Sequence, residues 1–313
     1  MSATGDERRG ENPSPMYAAS ADDVSTSASL RGRVCVVTGA SRGIGQATSR
    51  ALARCGAIVV MVGRDRASLS QAVEQVEGDA VRAGGSVVSL VADLASLTAI
   101  RAVAREIAER FGVVHALVNN AGVSLPRRRI SQDGIELTFA VNVLAPFVLT
   151  QELLPALCRG APSRVVNVTS LFARLASIDF DDLEGARRYS GDRAYLQSKL
   201  ALVLLTQRFA ERVRGTGVTA LCVDPGLAVT DLLRDRWWWR ARWLRPLWNR
   251  LFLTPEEAAS ATVMALASPA LADAGGRWVD RRGRDVHLRS RWRDPAIAER
   301  LWRACERLTN ADT

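Results

Sequence analysis

The residue pair best suited to chemistry in this sequence is Tyr195 and Lys199, which lie four positions apart in a stretch of helical pattern. Side chains at positions i and i+4 share one face of a helix, so this pair projects together. A tyrosine that exchanges protons near neutral pH must ionise far below its usual pKa of about 10, and a neighbouring ammonium lowers that pKa by favouring the phenolate. Lys199 is the only lysine beside 41 arginines, so its position favours an acid–base site.

A glycine-rich turn supplies a second candidate site. The apolar run Val34–Thr38 leads into a turn over 39–45, and a helical pattern follows. Glycines let the backbone approach a pyrophosphate, and a helix N-terminus offers it N–H groups and partial positive charge. The position between a first strand and a helix predicts a dinucleotide site rather than an ordinary tight turn. The candidate phosphate contacts are Gly39, Ser41, Arg42, Gly43, Ile44 and Gly45.

The next strand indicates which dinucleotide is preferred. Sites for NAD place an acid at the end of this strand to hold the ribose 2′-hydroxyl, but here Gly63 ends it and Arg64 follows. Arg64 and Arg42 can clamp a 2′-phosphate through their guanidinium forks, which predicts NADP. Asp65 comes one residue later and leaves NAD open as an alternative, and the two arginines are also compatible with an ordinary basic surface.

The elements that position these residues follow from the hydropathy pattern. Short β-branched apolar runs alternate with helical patterns near 43–55, 66–83, 96–111, 131–158 and 192–214. This alternation predicts an α/β fold with a doubly wound parallel sheet of Rossmann type. We expect one domain over 31–313 after a disordered tail over 1–30. The predicted strands are Val34–Thr38, Ala57–Val62, Val87–Val91, Ala116–Asn119, Arg164–Thr169, Val218–Val223 and, more weakly, Arg277–Val279.

Composition excludes several classes of protein. No 18-residue apolar run is present, so no transmembrane helix is predicted. The net charge of +9 comes from arginines spread among 33 acidic residues, with no nucleic-acid-binding module, so no nucleic-acid partner is expected. The five cysteines are scattered without metal-ligand spacing, and no secretory signal precedes them. We therefore expect a reduced, cytoplasmic protein without a metal site.

Several motifs occur together in one order, and the set resembles the short-chain dehydrogenase/reductase family over 31–285. The motifs are Thr38–Gly45, Asp93, Asn119–Gly122, Asn142, Ser170, Tyr195 with Lys199, and Pro225–Thr230. The resemblance implies that Tyr195 is the general acid/base and that Lys199 lowers its pKa and binds the nicotinamide ribose. It also implies that Ser170 holds the reacting oxygen and that Asn142 supports a proton relay through Lys199.

The resemblance also implies an NADP cofactor, with NAD as the alternative. Its further implied contacts, beside the phosphate loop and Arg64, are Asp93, Asn120, Ala121, Gly122, Pro225, Gly226 and Thr230, together with Tyr195 and Lys199. Asp93 is also compatible with a plain helix N-terminal acid, and Asn142 with a structural role. Thr169 is the alternative to Ser170.

Segments at 178–190, 194–201, 215–219 and 254–259 resemble the retinol dehydrogenase-like branch of the family. That branch exchanges hydride with retinaldehyde and other lipophilic carbonyls or alcohols, which implies a lipophilic small-molecule substrate. Alternatives are reduction of a steroid or polyketide-like product, and an NADP-binding sensor without turnover. Asp224 departs from the histidine or asparagine more usual at this position in the branch.

All eight tryptophans follow residue 236, and five lie in Trp237–Trp248. The resemblance implies that residues 227–253 form a C-terminal substrate lid, and the aromatic rings suit an apolar lining. A second interpretation is an interfacial segment whose arginines meet anionic lipid, which would make the protein membrane-peripheral. A third is a surface that forms a homo-oligomer.

Overall fold

The computed structural model describes residues 30–227 and 252–310. Among these residues, no helix combines the length and apolar character needed to cross a membrane. The predicted tail, apart from Leu30, lies outside the described residues, as do Thr230, Trp237–Trp248 and nearly all of the predicted lid. The extent of the domain, 31–313, stays a prediction.

Seven parallel strands form one sheet in the order β3-β2-β1-β4-β5-β6-β7. The strands are β1 Val34–Thr38, β2 Ile58–Gly63, β3 Ser86–Val91, β4 Ala116–Asn119, β5 Ser163–Val168, β6 Val218–Val223 and β7 Trp278–Val279. This order confirms the predicted doubly wound sheet. The direction in which successive strands are added reverses between β1 and β4, since β2 and β3 lie on one side of β1 and β4 to β7 on the other. Such a switch point opens a crevice at the carboxyl ends of the strands.

Helices cover both faces of the sheet. They are α1 Gly43–Arg54, α2 Arg66–Ala83, α3 Leu97–Phe111, α4 Leu137–Phe139, α5 Ala145–Glu152, α6 Leu154–Arg159, α7 Gly191–Arg212, α8 Pro255–Ala267 and α9 Pro295–Asn310. Helices α1, α2 and α8 pack on one face, while α3, α5, α7 and α9 pack on the other. Strands β1 and β4 are buried along their whole length, which explains why their sequences are continuously apolar rather than alternating.

The predicted helix over 131–158 is wrong as a single element. The chain becomes helical only at Leu137, where the carboxylate of Glu136 accepts hydrogen bonds from two backbone N–H groups of the first turn. A π-helical turn over Ala140–Leu144 then widens the helix, and the helix breaks again at Leu153. A π-turn inserts one extra residue, a feature frequent at functional sites, and here that turn carries Asn142.

Candidate active site

A cavity of about 360 Å³ opens at the carboxyl ends of the strands. It brings together nearly all of the sequence-predicted site residues, and their roles there stay predictions. Those that line it are Gly39, Ser41, Arg42, Gly43, Ile44, Gly45, Arg64, Asp93, Asn120, Ala121, Gly122, Ser170, Tyr195, Lys199, Pro225 and Gly226. Asn142 lies behind the cavity wall, fully buried, and Thr230 lies outside the described residues.

The N-terminus of α1 faces this cavity without a cap of its own. No side chain caps it, and its first turn carries no acid. By contrast, Asp65 caps α2 and Ser96 caps α3. Because the first N–H groups of a helix lack intrahelical acceptors, an uncapped N-terminus beside glycines favours a phosphate.

The glycines of this turn allow a left-handed backbone conformation at two positions and a close backbone contact at a third. Gly39 and Gly43 adopt φ of 63° and 57°, a region that disfavours side chains. A Cβ on Gly45 would collide with the carbonyl oxygen of Gly39 and with the side chain of Asn120. The turn therefore accepts glycine alone at position 45.

Thr38 and Asn120 join this turn to the loop after β4. The Thr38 hydroxyl oxygen accepts the backbone N–H groups of Asn120 and Ala121 at 3.0 and 3.1 Å. The Asn120 side-chain amide donates to the carbonyl oxygen of Thr38 at 2.9 Å. These bonds fix two walls of the cavity relative to each other. Thr38 had no role in the sequence-based prediction, although a polar residue ending a buried strand was the available signal.

Arg64 and Asp65 face different surroundings. Arg64 is exposed and lines the cavity. The Asp65 carboxylate accepts the backbone N–H of Ser68 at 2.8 Å and the Ser68 hydroxyl at 2.6 Å. These hydrogen bonds lower the pKa of Asp65. Asp65 therefore caps α2, and it is absent from the cavity lining.

Asn142 connects the π-turn to the helix that carries Tyr195. Its Oδ1 accepts the Val123 backbone N–H at 2.8 Å, and its Nδ2 donates to the Val123 carbonyl at 2.9 Å. Nδ2 also donates to the Ser198 hydroxyl at 2.9 Å, and that hydroxyl donates to the Tyr195 carbonyl at 2.7 Å. The side chain thus positions the cavity wall and the first turns of α7 together. Ser198 was not singled out from the sequence.

Lys199 reaches the cavity from a buried position. Its Nζ donates to the Val168 carbonyl at 3.0 Å and lies 5.8 Å from the centroid of the Tyr195 ring. Burial disfavours the ammonium and lowers the pKa of Lys199 to about 8. A Cβ on Gly122 would lie 3.4 Å from Nζ, so glycine leaves room beside the ammonium.

Ser170 and Thr169 differ in what their hydroxyl groups do. The Thr169 hydroxyl donates to the Val223 carbonyl at 3.1 Å and is buried. Ser170 is half-buried and lines the cavity, and its side chain caps no backbone N–H of the following 3₁₀ turn, Leu171–Leu175. Ser170 is therefore better placed than Thr169 to meet a ligand oxygen.

The remaining wall of the cavity is largely apolar, with Val141, Val168, Phe172 and Leu227 among its residues.

The loop that precedes α7 is held against this helix by Gln197. Gln197 accepts the Asp179 N–H at 2.9 Å and donates to the Leu183 carbonyl at 2.8 Å. The residues between Tyr195 and Lys199 therefore position both the tyrosine and the preceding loop.

Comparison with known proteins agrees with this geometry. The short chain dehydrogenase family matches residues 33–241. Polyprenol dehydrogenase of Mus musculus is 40% identical over 287 residues, covering 90% of this chain and 84% of that protein. Retinol dehydrogenase 13 of Homo sapiens is 36% identical and covers 91% of this chain and 87% of its own length.

Comparison with solved structures shows relatives of the same fold. The NADP active-site complex of Pseudomonas aeruginosa RhlG superposes with a TM-score of 0.66 at 28% identity, covering 82% of this chain and 96% of that one. An uncharacterized protein from Mycobacterium paratuberculosis superposes with a TM-score of 0.73 at 30% identity, covering 92% and 97%. The chain therefore belongs to the short-chain dehydrogenase family and is an NAD(P)-dependent oxidoreductase related to the retinol and polyprenol dehydrogenases.

Proposed function

We propose that this enzyme uses NADP(H) to exchange hydride with a lipophilic aldehyde, ketone or alcohol of the retinal/retinol kind, with Tyr195 as general acid/base. The observation that carries the proposal is one cavity in which Tyr195, Lys199 and Ser170 meet an uncapped helix N-terminus and an apolar wall. The relatives named retinol and polyprenol dehydrogenases support a lipophilic substrate.

The preference for NADP rests on Arg64 and Asp65. Arg64 and Arg42 both line the cavity, and two guanidinium groups suit a 2′-phosphate. The acid that would otherwise hold a ribose hydroxyl, Asp65, is engaged in capping α2. The solved relatives that hold NADP are consistent with this preference.

The chain's own contribution to the reaction is orientation and a proton. When bound, the nicotinamide supplies or accepts the hydride. The Lys199 ammonium, held by the Val168 carbonyl, favours the phenolate form of the nearby Tyr195. In reduction, Tyr195 donates its proton to the substrate oxygen while Ser170 stabilises the charge that develops there. Asn142 holds α7 and the Val123 wall in register for that transfer.

Two alternative proposals concern a segment of which the structure describes only Leu227, Phe252 and Leu253. We propose that residues 227–253 act as the substrate lid of a cytoplasmic protein. The alternative is that Trp237–Trp248 gives the protein peripheral contact with a membrane. Fractionation of cells that express the chain with and without residues 236–252 tests the second. Loss of membrane association on deletion supports it, and unchanged association overturns it.

The experiment for the activity is NADPH consumption with all-trans-retinal, a long-chain aldehyde and a steroid ketone. Fastest turnover with the first two supports the proposal. Turnover of the steroid ketone alone favours the alternative of a steroid or natural-product reductase. Tight NADPH binding with no turnover on any of the three contradicts the proposal and favours a sensor.

A further inference from the structure

Asp224 lies where two loops that line the cavity come together. It directly follows β6, is 6% exposed, and its backbone N–H pairs with the Val279 carbonyl at 2.9 Å. Its Oδ1 accepts the backbone N–H of Leu171 at 3.0 Å. The backbone N–H of Gly226 also lies near enough to this carboxyl to lower its pKa. One side chain thus joins the loop after β5 to the loop after β6.

The bond to Leu171 acts next to Ser170. Strands β5 and β6 stay paired to their ends, where the Thr169 N–H donates to the Val223 carbonyl at 2.8 Å. Ser170 then adopts an extended conformation, with φ of −153° and ψ of 137°, before the 3₁₀ turn begins at Leu171. No side-chain hydrogen bond of Ser170 caps that turn. The backbone on either side therefore sets the direction of its hydroxyl, and Asp224 holds one of those sides.

The buried negative charge of Asp224 costs free energy, and the hydrogen bond to Leu171 does not require it. Burial raises the pKa of Asp224, the neighbouring Asp280 adds to that rise, and the two backbone N–H groups and Arg281 oppose it. A buried carboxylate with few partners loses much of its hydration energy. The Leu171 N–H needs only a side-chain oxygen as its acceptor, and asparagine carries such an oxygen as well.

We propose that Asp224 is a positioning residue that aims the Ser170 hydroxyl at the substrate oxygen by accepting the Leu171 backbone N–H. The inference rests on the proposed role of Ser170 in the reaction. Asp224 touches neither substrate nor nicotinamide in this scheme. Its effect passes through Ser170, so the two residues must be coupled energetically.

The test is a double-mutant cycle on kcat for NADPH-driven reduction of the best aldehyde in the panel above. Asp224→Ala lowers kcat about tenfold or more, because small misplacements of a reacting group are expensive. In the Ser170→Ala background, Asp224→Ala has almost no further effect, since the hydroxyl that it positions is gone. Asp224→Asn keeps the acceptor and stays within about threefold of the wild-type kcat.

A second variant removes the same hydrogen bond from its donor side. Leu171→Pro deletes the N–H at the first position of a 3₁₀ turn, where proline is tolerated. The extended Ser170 already has the conformation that a residue before proline requires. Leu171→Pro reproduces the kcat loss of Asp224→Ala, and the two changes together are no worse than either. This variant also carries the test if Asp224→Ala does not fold.

Asp133 supplies a matched control, because its Oδ2 accepts the backbone N–H of Leu97, the first residue of α3, at 2.7 Å. The effects of Asp133→Ala and Ser170→Ala on kcat multiply in the double variant, because the two sites act independently. The inference is overturned if the kcat losses of Asp224→Ala and Ser170→Ala also multiply in the double variant. It is overturned as well if Asp224→Asn lowers kcat as much as Asp224→Ala. If Ser170→Ala itself leaves kcat unchanged, the failure belongs to the proposed role of Ser170 instead.

Discussion

The Lys199 ammonium donates to the Val168 carbonyl oxygen at 3.0 Å, so the only lysine of the chain is anchored to the last residue of β5. Two residues further along, the chain reaches Ser170. The helix that carries Tyr195 and the strand that leads to Ser170 are therefore joined by this contact. The relative placement of the two hydroxyl groups depends on it.

A pH-dependent stability follows from the burial of Lys199. Its pKa is lowered to about 8 from 10.5. Between these values the unfolded chain keeps the proton that the folded chain has lost, so stability rises with pH in this window. We expect the free energy of unfolding of the wild type, relative to Lys199→Met, to increase by at most about 3 kcal/mol from pH 8 to 10.5.

Urea unfolding of the apo-proteins across this range measures the difference. Subtracting the Lys199→Met values removes the titrations that both proteins share. A difference that stays constant with pH, or that falls as pH rises, would show that the lysine is not buried as the structure places it.

Arg64 is expected to determine cofactor preference. Arg64→Ala removes a guanidinium from the cavity lining, so it should raise the KM for NADPH about tenfold and leave the KM for NADH within about twofold, as a lost charge-assisted contact to phosphate implies. Steady-state kinetics with both cofactors measures this.

Arg66 is the matched control for Arg64. It is exposed, lies two residues away and does not line the cavity. Arg66→Ala should affect both cofactors equally. Equal effects of Arg64→Ala on NADPH and NADH would exclude Arg64 from the phosphate site.

Asn142 should matter for stability as well as turnover. Asn142→Ala leaves the Val123 N–H and carbonyl without their side-chain partner, while the Ser198 hydroxyl keeps its hydrogen bond to the Tyr195 carbonyl. Each orphaned polar group costs about 1–3 kcal/mol, so we expect a marked loss in the free energy of unfolding together with a lower kcat. Denaturant unfolding checks this, and a variant as stable as the wild type would contradict it.

The sequence predicted those parts of the fold that local pattern determines. The bounds of β1, β4 and β6 are confirmed, and each of these strands is a short and largely apolar run. Helix α8 was not predicted, although its capping box of Thr254 and Glu257 is visible in the sequence. Helix α9 was also not predicted.

Three features of the structure lie beyond what hydropathy patterns and motifs predict. Asp65 leaves NAD open as an alternative in the sequence, but its spacing to Ser68 also fits a helix cap, and the structure shows the cap. The π-turn around Asn142 leaves the apolar pattern unchanged, so periodicity could not reveal it. The bond from Leu171 to Asp224 spans 53 positions, and nothing local in the sequence marks it.

The most direct test of the account is the kcat of Tyr195→Phe for NADPH-driven reduction of the panel's best aldehyde, measured beside its NADPH dissociation constant. The substitution removes the hydroxyl and keeps the ring. We predict a loss of about 10²–10⁴-fold in kcat, the range expected for a lost general acid, with NADPH binding nearly unchanged. Turnover that survives Tyr195→Phe at the wild-type rate would contradict the central claim that Tyr195 supplies the proton.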